Sequence, residues 1–410
     1  MATMPPQDPI EAQLMAHIAD HESELISFCR QLLQTPSVNG VDDELAIAKV
    51  ITNYARSLGL VTEIAGLSAE RPNAIVHTDT QGDTGLLLIG HLDTVAPGDA
   101  QAWTYPPFSA TIDDGKLYGR GAVDTKAGMA SAIIALAALK AVPDSLHKGR
   151  ASFIGVPDEE SGATGTLGIR WLAAQSKLNG LGSIYCYSGR DIYLGHRGLI
   201  RFEITCKGES LHTGSDEWQN GEKGINAVTA MSRLLLKLEA AEFPAGEGYF
   251  SRFKTVMTPG TVINGGTGVS IVPDTCTALV DVRTVPGTDA AVFDYMEQAV
   301  ADVKSAVPGL EIDVKPFIHL SAAISDERAP MFSIVEDVTQ QLTGQRPTRL
   351  VAGPANEGYL LIEHGIPTIC GFGPIGDNFH ALDEYVEVDS LVETAQIYAL
   401  TAHRLSAHVK

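Results

Sequence analysis

The feature that most constrains the fold is a short apolar run that ends in two polar residues. Residues 86–89 form a continuous apolar run between Gly85 and Gly90, which predicts a fully buried strand. His91 and Asp93 follow directly. Residues two apart in an extended chain point the same way, so a histidine and a carboxylate share one face at the end of a core strand. Ligands of open α/β sheets bind at that end.

This pair has two interpretations. In the first, His91 binds a metal ion and Asp93 accepts a hydrogen bond from the other ring nitrogen, which fixes the orientation of the imidazole. In the second, the two residues are a loop histidine and a turn-forming aspartate after a strand. The pattern His-x-Asp is too short to decide, and residues further along the chain favour the metal.

Apolar runs and helical spacing predict the surrounding elements. The expected helices cover residues 10–34, 42–58 and 127–142, and the expected strands cover residues 73–77, 86–89, 151–156 and 365–373. Helices that alternate with apolar strands indicate an α/β fold with a mostly parallel sheet flanked by helices.

Composition limits the class of protein. A chain of 410 residues predicts two domains, and 44% hydrophobic residues are enough for a large core. The net charge of −21 argues against nucleic acid or an anionic membrane as partner. The longest apolar stretch, residues 127–142, contains Lys140 and is shorter than the ~20 residues that span a bilayer, so we expect a buried helix.

The cysteines and the N-terminus indicate the compartment. Five cysteines are dispersed without a Cys-x-x-Cys pair, which is typical of a reducing environment. Residues 1–10 have no basic segment followed by an apolar one, so no secretory signal is expected. We therefore predict a cytoplasmic protein.

Three later stretches carry further candidate ligands. Asp124 lies in a glycine-rich segment, where it is either a helix N-cap or a metal ligand. Three acids follow the strand at 151–156, and they are either solvated surface or surround a cation. His380 follows the last core strand. Convergence of His91, Asp124, Glu160 and His380 would suit Zn²⁺, with Mn²⁺ or Co²⁺ as substitutes.

Four motifs in this order resemble the zinc-dependent aminoacylase and carboxypeptidase G family, which includes acetylornithine deacetylase and succinyl-diaminopimelate desuccinylase. The resemblance covers nearly the whole chain. The matching motifs are Gly90-His-Leu-Asp-Thr-Val95, Gly119-Arg-Gly-Ala-Val-Asp124, Asp158-Glu-Glu160 and Phe379-His-Ala-Leu-Asp-Glu-Tyr385.

The resemblance implies an amidohydrolase with two zinc ions per subunit. His91 would bind one ion, Asp124 would bridge both, and Glu160 and His380 would bind one each. Asp93 would orient His91. A further acid, Glu159, would be the general base that deprotonates the bridging water.

The resemblance also implies an inserted, smaller α+β domain. The expected boundaries are residues 1–197 for the first part of the catalytic domain, 198–314 for the insertion and 315–410 for the second part. His212 would stabilise the oxyanion in the active site of the partner subunit, so a homodimer is expected through the insertion. Arg283 would hold a substrate carboxylate, or else form a salt bridge with Asp281.

One position departs from the family pattern. The family has a carboxylate ligand shortly before Gly195-His-Arg-Gly198, and an ungapped register puts Cys186 there. This cysteine is either a thiolate ligand or a buried strand residue, and Asp191 replaces it only if the loop shifts. The sequence therefore does not determine which residues would bind the second metal ion.

Two functions follow from these observations. The leading hypothesis is a hydrolase that removes an acyl group from an N-acyl amino acid or cleaves a C-terminal amino acid or dipeptide. The alternative is a catalytically lapsed member that binds small carboxylates or acts as a subunit of an assembly. A metal-dependent phosphatase or nuclease lacks support, because the chain is acidic and has no phosphate-binding loop.

Overall fold

The computed structural model describes residues 8–409. Residues 1–7, part of the segment in which no secretory signal is expected, and residue 410 lie outside this range. The described chain divides into two compact units. Unit 1 comprises residues 8–195, 324–352 and 356–409, and unit 2 comprises residues 196–323 and 353–355.

The secondary structure alternates between helices and strands along most of the chain. The helices are α1 Pro9–Asp20, α2 Glu22–Leu33, α3 Leu45–Ser57, α4 Ala127–Ala141, α5 Ile169–Ala174, α6 Asp216–Gln219, α7 Ala227–Glu239, α8 Asp289–Ala306, α9 Pro330–Thr343, α10 Gly358–Glu363 and α11 Asp389–Ser406. The strands are β1 Val61–Ala65, β2 Asn73–His77, β3 Thr84–His91, β4 Thr111–Asp113, β5 Lys116–Tyr118, β6 Arg150–Val156, β7 Gly182–Tyr185, β8 Ile192–His196, β9 Gly198–Lys207, β10 Val256–Gly265, β11 Thr275–Thr284, β12 Glu311–Leu320, β13 Ala323–Ile324, β14 Arg349–Ala352, β15 Thr368–Ile369, β16 Gly376–Asp377 and β17 Tyr385–Glu387.

A six-stranded sheet forms the centre of unit 1. Its order is β1-β2-β6-β3-β7-β15. Strands β6, β3, β7 and β15 pair in parallel, and β2 pairs antiparallel with both β1 and β6. All eight residues of β3 are buried, because strands lie on both sides of it and apolar side chains cover both faces. The α/β class with a mostly parallel sheet is confirmed.

Helix α4 is the central helix of this core. Residues 122–141 are long and apolar enough to cross a membrane by length and composition, but their most apolar window is 100% buried inside the protein. The small side chains of α4 allow close packing on the sheet. A Cβ atom at Gly128 would lie 2.1 Å from the carbonyl oxygen of Cys186, so only glycine fits at this approach to the end of β7.

Unit 2 interrupts unit 1 and has its own core. Its antiparallel sheet has the order β10-β11-β9-β12, and helices α7 and α8 contribute buried side chains to the same hydrophobic cluster as β9 and β11. The expected end of the insertion at residue 314 falls inside β12, which continues to Leu320. The role of this unit in dimerisation stays a prediction.

Candidate metal centre

His91 is the last residue of β3 and is completely buried. Its Nδ1 atom lies 2.9 Å from the main-chain carbonyl oxygen of Asp93 and 3.6 Å from the nearer carboxylate oxygen. The ring is therefore oriented chiefly by the backbone of Asp93. Its Nε2 atom faces Asp124, 2.6 Å from Oδ1.

The carboxylate of Asp93 has a second task. It accepts hydrogen bonds from Asn39 Nδ2 at 2.6 Å, from the main-chain N–H of Glu159 at 3.2 Å and from that of Glu160 at 3.0 Å. Burial would raise the pKa of Asp93, but the adjacent His91 and the hydrogen bonds from Asn39 and Glu160 hold it below its ordinary value. An ionised Asp93 thus fixes the turn that carries both glutamates.

The turn that carries Asp124 is held by a buried carboxylate. Glu384 accepts the main-chain N–H groups of Gly121 at 3.0 Å, Val123 at 2.9 Å and Asp124 at 3.3 Å, and its Oε2 lies 2.6 Å from Arg120 Nη1. Gly121 has φ of +86°, a conformation that glycine adopts without strain. We call the Arg120–Glu384 ion pair with these three hydrogen bonds the Glu384 clamp. The sequence analysis missed it, although both residues lie in the matched motifs.

The four expected ligands converge around Asp124. Besides the contact with His91, Asp124 Oδ2 lies 3.1 Å from His380 Nε2, which in turn lies 3.2 Å from Glu160 Oε1. Glu160 Oε1 is buried and has no hydrogen-bond partner despite this short distance. One potential ligand atom from each of His91, Asp124 and Glu160 lies within 4.8 Å of the others. The site thus offers two imidazoles and two carboxylates, and one carboxylate oxygen, Glu160 Oε1, lacks a hydrogen-bond partner. This donor set fits a divalent metal ion.

The electrostatics of the cluster are those of tightly paired groups. Burial would lower the pKa of His91, but the charge and hydrogen bond of Asp124 raise it well above its ordinary value. The contacts of its Nε2 atom with the carboxylates of Asp124 and Glu160 raise the pKa of His380 to about 10. Burial would raise the pKa of Asp124, but the two histidines hold it well below its ordinary value. Without metal, both imidazoles are therefore protonated at neutral pH.

We expect metal affinity to rise with pH for this reason. A metal ion must displace the protons of His91 and His380, so affinity increases by about tenfold per pH unit for each proton released, at pH values below their raised pKa. Calorimetric Zn²⁺ titrations of metal-free protein between pH 6 and 8, in buffers of different ionisation enthalpy, measure the metal affinity and the number of protons released. An affinity that is independent of pH, with no proton release, would contradict this account.

Glu159 is buried beside the four candidate ligands, and its carboxyl group is not one of the converging ligand groups. Its Oε1 atom accepts a hydrogen bond from the hydroxyl of Tyr187 at 3.3 Å. Burial, opposed by the charge of His91 and reinforced by Glu160, raises the pKa of Glu159 well above its ordinary value. A carboxyl group with a raised pKa beside a metal centre can accept a proton from water and pass it on.

The structure does not bring Cys186 to the cluster. Its side chain lies in the hydrophobic core, with Sγ 3.7 Å from the carbonyl oxygen of Ile184. Burial raises the pKa of its thiol to about 12, which disfavours the thiolate. The neighbouring Tyr187 faces the site instead, 5.6 Å between its ring centroid and that of His91. Asp191 directly precedes β8 and is not among the converging groups in the described chain.

Glu357 is another residue that the sequence analysis missed. It is fully buried in unit 1, its Oε2 accepts a hydrogen bond from Tyr185 at 3.4 Å, and its Oε1 has no partner. Burial and the charge of Asp93 raise its pKa to about 8. It is therefore mostly protonated at neutral pH, and no motif in the sequence signals it.

The two other expected functional residues belong to unit 2. His212 is exposed, and its Nδ1 accepts the main-chain N–H of Gly214 at 3.0 Å, so a neutral ring carries its proton on Nε2. Arg283 Nε lies 2.8 Å from Asp281 Oδ1. Arg283 thus forms the salt bridge with Asp281 that is the alternative to its role in substrate binding.

Comparisons with known proteins identify the family of this chain. The sequence model of peptidase family M20/M25/M40 matches residues 87–404. The chain is 30% identical over 395 residues to a succinyl-diaminopimelate desuccinylase of Gluconacetobacter diazotrophicus, covering 93% of this chain and 96% of that one.

Solved structures share the fold. A metallo-carboxypeptidase of this family from Sulfolobus solfataricus superposes with a TM-score of 0.76 at 16% identity, covering 94% and 99% of the two chains. A dinuclear metal-binding peptidase from Bacillus subtilis gives a TM-score of 0.69 at 20% identity, covering 95% and 99%.

Proposed function

The chain belongs to peptidase family M20/M25/M40 and is a metal-dependent hydrolase of amide bonds, and we propose that it deacylates N-acyl amino acids with zinc as the metal. The observation that carries the proposal is the convergence of His91, Asp124, Glu160 and His380 beside Glu159. Imidazole and carboxylate ligands suit zinc, and Co²⁺ or Mn²⁺ are expected to substitute for it.

Each residue has a defined task in this proposal. A divalent metal ion held by His91, Asp124, Glu160 and His380 would lower the pKa of a water molecule and polarise the scissile carbonyl. Glu159 would take a proton from the attacking water and deliver it to the leaving amine, a transfer suited to a carboxyl with a raised pKa. Asp93 holds the main chain of Glu159 in place through the hydrogen bond to its N–H.

Unit 2 supplies the remaining groups that we assign. The Nε2–H of His212 is the donor proposed for the developing oxyanion, and its tautomer is fixed by Gly214. Delivery of this donor to the site of a second subunit is the basis for the proposed homodimer. Arg283, already paired with Asp281, is the proposed ligand for a substrate carboxylate. We further propose that the enzyme works in the cytoplasm.

The substrate test compares N-acyl groups on a common set of amino acids. The purified zinc-loaded enzyme is assayed for amine release from N-succinyl, N-acetyl and N-benzoyl amino acids and from dipeptides. The N-succinyl series comes first because the relative from Gluconacetobacter diazotrophicus carries that acyl group in its name. Hydrolysis of at least one series is expected. Full metal content without turnover on any of them would favour the lapsed-enzyme alternative.

A further inference from the structure

The two oxygens of Asp124 face different surroundings. Oδ2 lies 3.1 Å from His380, which lies 3.2 Å from Glu160, so one side of Asp124 offers three protein ligands. Oδ1 lies 2.6 Å from His91 Nε2. The Oδ1 side of Asp124 therefore offers two protein ligands, this carboxylate oxygen and the imidazole of His91.

The next side chain on the His91 side is Tyr187. Its ring centroid lies 5.6 Å from that of His91, and its hydroxyl donates a hydrogen bond to Glu159 at 3.3 Å. Cys186 cannot take its place, because its sulfur lies in the core. The carboxylate of Asp93 lies on the Nδ1 side of the His91 ring, away from Asp124.

Ligand chemistry makes the two sides unequal. A catalytic zinc site has three protein ligands and one open position, and the side with Asp124, Glu160 and His380 meets this requirement. A phenol that donates a hydrogen bond to a carboxylate keeps its proton, and it is a weak metal ligand compared with a carboxylate. The side with His91 thus has two protein ligands of the usual kind.

We propose that the two metal positions of this enzyme are unequal, and that Tyr187 makes them so. One ion binds tightly between Asp124, Glu160 and His380, and a second binds weakly between Asp124 and His91. This inference rests on the proposed metal centre. It goes beyond that centre because it makes Tyr187 the residue that determines how many metal ions bind tightly to each chain.

The test measures metal stoichiometry without any assay of turnover. Metal-free protein is dialysed against buffered Zn²⁺ over a range of free concentrations, and bound metal is counted by elemental analysis. Wild type should bind one ion per chain tightly and the second at least about 10-fold more weakly, since even the loss of an outer-shell partner costs that much. Two equally tight ions in wild type would overturn the proposal.

Three variants assign the effect to a residue. Tyr187→Glu should bring the second ion into the tight range, whereas Tyr187→Phe, which restores no ligand, should keep one tight ion. Cys186→Ser should bind metal as wild type does. A tight ion lost in Cys186→Ser, or a Tyr187→Glu protein that folds by circular dichroism and still binds only one tight ion, would refute the role of Tyr187.

The outcome is independent of the proposed activity. An enzyme that hydrolyses N-acyl amino acids with one tight ion supports both proposals. Two equal ions with full hydrolysis would overturn only this inference, and unequal ions without hydrolysis would overturn only the proposed function.

Discussion

Replacing Glu159 with glutamine is expected to lower kcat by about 10²–10⁴-fold, the range that a general base contributes. The amide keeps the shape of the side chain and can still accept the hydrogen bond from Tyr187, but it cannot take a proton from water. Because Glu159 is not among the converging ligands, metal content should stay at the wild-type value. Steady-state kinetics and elemental analysis on the same preparation measure both quantities.

The adjacent glutamate provides a matched control. Glu160→Gln removes an anionic ligand that lies 3.2 Å from His380, so it should lose metal as well as activity. The two variants differ by one position in the chain and should separate base from ligand. A Glu159→Gln enzyme that keeps more than a tenth of wild-type kcat, or that loses its metal, would contradict the assigned roles.

Replacing Glu384 with glutamine is expected to destabilise the fold by about 3–5 kcal/mol, the usual cost of breaking a buried ion pair by removing one partner. The side chain of Glu384 is 0% exposed and that of Arg120 is 2% exposed, so water cannot compensate the unpaired guanidinium. The amide also loses acceptor capacity for the three N–H groups that Glu384 now holds. Urea denaturation of the metal-free proteins measures the difference in unfolding free energy.

A surface pair in unit 1 gives the comparison. Glu63 lies 2.8 Å from Lys177, but the two side chains are 47% and 34% exposed. Glu63→Gln should change the unfolding free energy by less than about 1 kcal/mol. Equal effects of the two substitutions would show that the Glu384 clamp does not stabilise the fold more than an exposed pair does.

Most of the core was predictable because periodicity and glycine boundaries report burial directly. The strand at 86–89 became β3, and the apolar run at 127–142 became α4. The helix expected over residues 10–34 is two helices that meet at His21, since a periodic pattern does not detect a single non-helical residue between them. The strand expected at 365–373 shrinks to Thr368–Ile369, where Pro367 precedes it and cannot donate a ladder hydrogen bond.

The candidate ligands that directly follow a core strand could be predicted from the sequence. Which of Cys186 and Tyr187 points to the metal centre could not, because that depends on the register of the chain after β7. Cys186 and Tyr187 directly follow β7, and their side chains have different surroundings, the core for Cys186 and the carboxyl of Glu159 for Tyr187. A shift of one residue therefore exchanges a core thiol for a phenol at the metal centre. Sequence alone gave no information on this shift, and the hydrogen bonds of Tyr187 and Cys186 do.

The clamp between Arg120 and Glu384 also sets an order on biosynthesis. Its two residues are 264 positions apart, with the whole of unit 2 between them in the sequence. A nascent chain that has not yet passed residue 384 contains His91 and Asp124 but lacks both His380 and the carboxylate that holds the Asp124 turn. The four ligands can therefore assemble only after residues 380 and 384 have been synthesised, later than the whole of unit 2.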